Sequence, residues 1–318
     1  MNGEEVLHKV LITLLILTLG LSAYDKEGVR EVNAVRRSAG MIALKNSYEL
    51  SRAAYHHAKY LGRLRRKGHG ERPGSAYYTG RTPSDRMVRA GYPSRAGVEN
   101  ISYGDRNYAQ SVRVLMSTLY HRLAFLDFRV DEMGSSEYGN RRGRIYVYDL
   151  ASSVVARLCR LSGSAGKGRY IYRICADPRK RISQNEFFRA LAEVEYRNPR
   201  TVLYPPPGAR NVPLRFIRET PDPISGIYGA GYPVTVQLNP ALYHQAALRV
   251  FRLFDSRGRR IKAKVITAGS DPNHKLLPGD FALIPLKKLL PNHRYRVEFE
   301  VSTDRGTVRK SWHFRTGS

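Results

Sequence analysis

Cysteine is nearly missing. Only two stand in 318 residues, too few for a disulfide-dense scaffold or a zinc site built from thiolates. Acidic residues are scarce beside basic ones: 27 Asp and Glu against 54 Lys and Arg, a formal net charge of +27. Such a field draws anionic polymers or surfaces and says nothing about fold. Low-complexity tracts are absent, and the composition, 42% hydrophobic and 25% charged, is that of a globular chain. Long apolar runs are also wanting. Val10 to Leu19 is interrupted only by Thr and is followed by the small residues Gly20, Ser22 and Ala23. It is short for a membrane span and fits the core of a signal peptide, although Glu4 and Glu5 outweigh Lys9 in the flank. Residues 1–23 are read as a signal peptide, with an uncleaved anchor as the alternative.

The basic residues run through every segment, as in "RLRRKGHGER", "GNRRGR" and "DSRGRRIKAK". No helix-turn-helix, zinc-finger or RNP-like pattern accompanies them, so no specific nucleic-acid partner is expected. An anionic cell-envelope polymer or lipid is the expected partner, and a genomic preference for Arg codons is the competing explanation of the charge. A secreted, periplasmic or envelope location follows from the leader. Cys159 and Cys175 flank "RLSGSAGKGRYIYRI". In an exported chain they are expected to form one disulfide, and two unlinked buried thiols are the alternative.

Along the chain, "REVNAVRRSAGMIALKNSYELSRAAYHHAKYLGRLRR" reads as helix, with Leu44, Tyr48, Ala54, Ala58 and Leu61 at helical spacing. Ser47 is placed to cap a second helix there. The Gly- and Pro-rich stretch that follows reads mostly as loop. Inside it "TPSDRMVRAGY" predicts a short helix, with Thr82 as cap, Pro83 in the first turn and Gly91 as the stop. "NYAQSVRVLMSTLYHRLAFLD" predicts one helix, and "RIYVYDLASSVVARL" reads as strand. "RYIYRIC" is strand-like, and "SQNEFFRALAEVEYR" predicts a helix from Ser183. Short alternating segments then dominate. In one of them Tyr295, Val297, Phe299 and Val301 face one way, and Trp312 and Phe314 are expected to anchor the last strand. The predicted fold class is α+β: an α-β-α domain over 24–152, a connector over 153–202, and an antiparallel β-sandwich of immunoglobulin-like type over 203–318.

"AAYHHAKYL", "GHGE", "YTGRTPSDRMVRAGYP", "VENISYG" and "VRVLMSTLYHRL" occur in the order found in bacterial members of the CAP superfamily, also called SCP-like. The first half of the chain resembles that family, which unites cysteine-rich secretory proteins, antigen 5 and pathogenesis-related proteins. The C-terminal half looks like the β-sandwich often appended to its bacterial members. The resemblance implies an α-β-α sandwich with a cleft lined by two His and two Glu. His69 matches the His of the loop, Glu99 the Glu of the "EN" element, and His121 the His at the end of the helix. The family's helical Trp and Glu positions hold Leu115 and Thr118 here, and its later "GHYTQ" motif has no counterpart.

His69, Glu99 and His121, converging on a cleft, would form an open Zn²⁺ site that polarises water or a carbonyl. Glu71 would sit beside them as an outer ligand or general base. The competing view makes these side chains structural: Glu99 would accept loop N–H bonds, Asn100 would support a turn, Asp85 would start a helix, and Arg86 would bridge loops. His56 and His57 are expected to be satisfied helix residues. No nucleophile is nominated, because Ser102, Ser111 and Ser117 lack a G-x-S-x-G context. "GSAGKG" lacks the spacing of a phosphate loop. The expected function is a non-catalytic, exported binding protein; a metal-dependent hydrolase of peptide or wall polymer is the alternative.

Overall fold

The computed structural model describes residues 26–140, 143–161 and 167–318. The expected signal peptide lies outside the described residues, as does most of "GSAGKG". Two helices stand where one long helical stretch was expected: α1 (Glu27–Ser38) and α2 (Tyr48–Leu64). Between them the chain forms a two-residue strand, β1 (Lys45–Asn46), and Ser47 caps α2 by accepting a hydrogen bond from Leu50 N. α3 (Pro83–Arg89) carries a full capping box between Thr82 and Asp85. It stops at Gly91, whose φ of +93° suits glycine. The single helix predicted after residue 107 is broken into α4 (Tyr108–Leu115) and α5 (Tyr120–Phe125).

The strands β2 (Gly97–Tyr103), β3 (Glu132–Tyr138) and β4 (Ile145–Ala151) complete a four-stranded sheet of order β1-β3-β4-β2. β2 is thus an edge. Alternation along β4 sends Tyr146, Tyr148 and Leu150 into a core shared with α1 and α4, and Ile145 and Val147 into one shared with α2. Helices therefore cover both faces. α2 lies close on β3 because position 134 is glycine: a Cβ there would stand 1.9 Å from Ser51 N. "SSVVARL", expected as strand, is instead α6 (Ser153–Arg160), capped by Ser152. Its buried residues Val154, Val155 and Cys159 follow helical spacing, which a strand reading of so short a β-branched run obscured.

A small hairpin, β5 (Tyr170–Tyr172) with β6 (Arg181–Ser183), leads into α7 (Gln184–Glu195). Cys159 and Cys175 are joined, S–S 2.10 Å, across a sequence separation of 16. Closing a loop of that length contributes about 3 kcal/mol. Replacing both cysteines by serine should lower stability in urea by about that amount. An unchanged midpoint would mean that Arg95 N to Ile174 O and Ala176 N to Pro93 O hold the segment unaided.

The remaining strands are β7 (Thr201–Tyr204), β8 (Val234–Leu238), β9 (Ala246–Phe254), β10 (Ala263–Thr267), β11 (Asp280–Pro285), β12 (Arg294–Thr303) and β13 (Gly306–Arg315). They form two antiparallel sheets, β10-β11-β8-β7 and β13-β12-β9. Val234, Val236 and Phe281 from one sheet pack against Leu253, Val297, Phe299, Trp312 and Phe314 from the other. Tyr295, Val297, Phe299 and Val301 are all buried, as their alternation predicts.

The two halves are welded around α5. Leu119 and Leu123 pack among Phe216, Ile224, Ile266, Ala282 and Ile284 of the C-terminal half. Arg122, fully buried, donates to Met116 O and Pro233 O, and its guanidinium lies 5.0 Å and 4.5 Å from the Tyr204 and Tyr232 ring centres. Ile217 N also donates to Ser117 O at 2.9 Å.

Candidate functional site

The edge strand β2 fronts a cavity of about 850 Å³ between the α-β-α domain, α7 and the β-sandwich. His69, Glu99, Asn100 and His121 all border it. The loop His is held by the strand Glu: His69 Nδ1 lies 2.8 Å from Glu99 Oε1. The other Glu99 oxygen accepts from Arg86 Nη2 at 2.7 Å, and His57 Nε2 stands 3.8 Å away. Burial alone would push the Glu99 carboxyl up. The His69 hydrogen bond and the charges of Arg86 and His57 outweigh it and hold Glu99 below the usual carboxylate range.

Behind Glu99, outside the cavity, is a group the sequence did not flag. Asp149 is directly opposite Glu99 in the β2–β4 register, so both carboxyls emerge on the α2 face. Asp149 is 1% exposed, neither oxygen accepts a hydrogen bond from an N–H or O–H group among the described residues, and the group its carboxyl faces is Glu99. Burial, and then the Glu99 charge, push it well above the usual range. Asp149 therefore keeps its proton while Glu99 carries the charge.

Glu71, expected as an outer ligand or base, does not border the cavity. It is 4% exposed and its carboxylate is fully engaged. Oε2 accepts from Thr79 N at 2.5 Å and Gly80 N at 3.3 Å, and Oε1 lies 2.9 Å from His57 Nδ1. Glu71, rather than Glu99, is the carboxylate that pins the loop's N–H groups. His57, with its other nitrogen 3.1 Å from Gly68 O, is the satisfied helix histidine expected. Asn100 supports no turn: it donates from β2 to His121 O at 2.9 Å.

His121 does not join Glu99. Its Nδ1 lies 2.8 Å from Oε2 of Glu219, a residue 98 positions later in the chain. Glu219 is 8% exposed, and its Oε1 also accepts from Leu119 N at 2.6 Å and Tyr120 N at 3.1 Å, closing the start of α5. A carboxylate from outside the α-β-α domain thus orients the second histidine. No local pattern around "RETPDP" signals this, because the contact exists only once the two halves are packed.

His69 and Glu99 meet, whereas His121 turns to Glu219, so the expected zinc trio is not gathered on one carboxylate. Each imidazole has Nδ1 on a carboxylate, an arrangement that orients Nε2 and is also that of metal-ligating histidines; among the described residues no group of three His, Cys, Asp or Glu is placed to hold a metal ion. What the geometry provides is two oriented imidazoles whose Nε2 atoms have no protein partner, at 45% and 16% side-chain exposure. Among the described residues, the hydroxyl hydrogen-bonded to one of these imidazoles is that of Thr118. Thr118 Oγ1 is 3.2 Å from His121 Nδ1, but it is buried, donates to Leu115 O, and shares the nitrogen that faces Glu219.

The family model described as CAP, cysteine-rich secretory protein family, matches residues 29–149. Among solved structures, the chain is similar to an extracellular protein containing a SCP domain from Bacillus anthracis at 17% identity and a TM-score of 0.35. That match covers 40% of this chain and 39% of the Bacillus chain, so it spans about two fifths of the Bacillus protein. It is similar at 19% identity and a TM-score of 0.35 to an outer surface protein from Borrelia burgdorferi, covering 39% of this chain and 89% of that one. No curated protein matches. Residues 29–149, with the ordered motifs, the helix-covered sheet and the His69–Glu99 pair they contain, are a CAP domain.

Proposed function

We propose that this chain is an exported, envelope-associated CAP protein that binds a small ligand without transforming it. The observation that carries the proposal is the cavity of about 850 Å³, bordered by two carboxylate-oriented histidines and by mostly apolar walls. The disulfide and the apolar leader support export. The +27 charge suits an anionic wall polymer or lipid surface as the place of work, and the seven-stranded unit is taken as an immunoglobulin-like support for the cavity wall. The alternative, a metal-dependent hydrolase of peptide or wall polymer, is less supported, because among the described residues no group of three His, Cys, Asp or Glu is placed to hold a metal ion.

Ala192 of α7 borders the cavity. Ala192→Trp should fill it and weaken binding of an apolar fluorescent probe by about tenfold, because the probe and the indole compete for the same volume. Probe binding that ignores Ala192→Trp, in a protein that still melts cooperatively, would sink the cavity as the site. Cell fractionation tests the location, and a wholly cytoplasmic protein would overturn export.

A further inference from the structure

The charges around the cavity are mostly spoken for. Arg129 is committed to Asp127 by two hydrogen bonds of 2.9 and 2.6 Å. Glu99 is matched by Arg86 and His69, and His121 by Glu219. Glu195, at the end of α7, is the exception. It borders the cavity, is only 7% exposed, and its carboxylate has no hydrogen bond and no ion pair within 4 Å among the described residues. Asp280, on β11 and bordering the same cavity, is 6% exposed and accepts from Leu277 N at 2.8 Å and Gln237 Nε2 at 3.2 Å; Arg129 acts on it from a distance but forms no ion pair with it within 4 Å among the described residues. Lys275 and His244 also border the cavity, but both are exposed and neither pairs with these carboxylates.

Arg129 is the cation that acts on both carboxylates, and it is already hydrogen-bonded to Asp127; three acids around one guanidinium leave room for a second cation from outside. We infer that the ligand of this cavity is an amine with an apolar body, its ammonium seated at Glu195 with Asp280 nearby and its body against Leu123, Phe128, Leu191 and Leu238. This rests on the binding role proposed above and names the ligand's chemistry. The overall charge of +27 repels an amine at long range, so recognition has to come from these local carboxylates. Their titration agrees. Burial pushes Glu195 up to about 7, with Arg129 opposing and Asp127 adding, and pushes Asp280 up to about 6. An ammonium that pairs with the ionised form therefore displaces a proton near neutral pH.

The test compares decylammonium, decanol and decanoate, each below its aggregation limit, by calorimetry on the full chain. Decylammonium should bind about tenfold or more tightly than decanol, from the strength of a charge-assisted hydrogen bond. Its affinity should fall as pH drops below about 7. Glu195→Gln should remove both the preference and the pH slope while leaving decanol within about twofold. That variant should also melt less steeply with pH: a raised folded pKa means that wild type loses stability as pH rises from 5 to 8. Decanol or decanoate binding as tightly as decylammonium would overturn the inference and leave the cavity as an apolar site. No binding by any of the three would overturn the binding role, and the inference with it.

Discussion

Asp149→Asn raises stability at neutral pH, against the usual direction for a change at a buried polar position. In the unfolded chain Asp149 ionises near 3.8. In the fold, burial and the facing Glu99 carboxylate keep it protonated. Folding therefore takes up protons once pH exceeds the unfolded value, and that uptake costs stability progressively as pH rises toward the raised folded pKa. The sign follows from the raised folded pKa: the group's contribution is intact at acid pH and is lost as pH rises. Asparagine has nearly the same shape, needs no proton, and can donate an N–H toward Glu99. Urea unfolding at pH 5 and pH 8 measures it. The advantage of Asp149→Asn should grow between the two, and a constant difference would show that Asp149 is ionised in the fold.

Glu99→Ala should be costly, and by an amount that depends on Asp149. Arg86 is 1% exposed, with one nitrogen bonded to Glu99, another to Gly80 O at 3.4 Å, and Nε without a partner. Its distance to Glu71 Oε1, 3.9 Å, is too long for a hydrogen bond. Removing one partner of a buried ion pair costs about 3–5 kcal/mol. Here Asp149 can ionise once Glu99 is gone, since the Glu99 charge helps to keep it protonated and the Arg86 charge favours its ionised form. The loss should therefore sit at the lower end in wild type and be larger in the Asp149→Asn background. A double-mutant cycle at pH 7 gives the coupling, and additivity within about 0.5 kcal/mol would refute the handover.

Local rules in the sequence reached a good part of this. Thr82, Pro83, Asp85 and Gly91 state a helix start and stop within eleven residues, and all four act as read. His69 and Glu99 sit in motifs whose order is distinctive, and they do meet. What escaped depends on contacts between distant segments. Asp149 is ordinary within "YVYDL", and only the β2–β4 register puts it against Glu99. Glu219 lies 98 residues beyond His121. The break between α4 and α5 was hidden because "VLMSTLYHRL" keeps helical periodicity through a turn that closes on Glu219 and Ser117. The orientation of His121 was hidden for the same reason: a carboxylate from the other half faces its Nδ1.

Glu219 also bears on which part of the chain owns the cavity. Residues 29–149 alone contain neither the carboxylate that faces His121 Nδ1 and the start of α5, nor the apolar side chains of the C-terminal half that cover Leu119 and Leu123. One segment of the strand-rich half supplies that carboxylate: Glu219 lies against Leu119, Tyr120 and His121 at once. The cavity is consequently shared property: its walls come from both halves, so neither half alone encloses it.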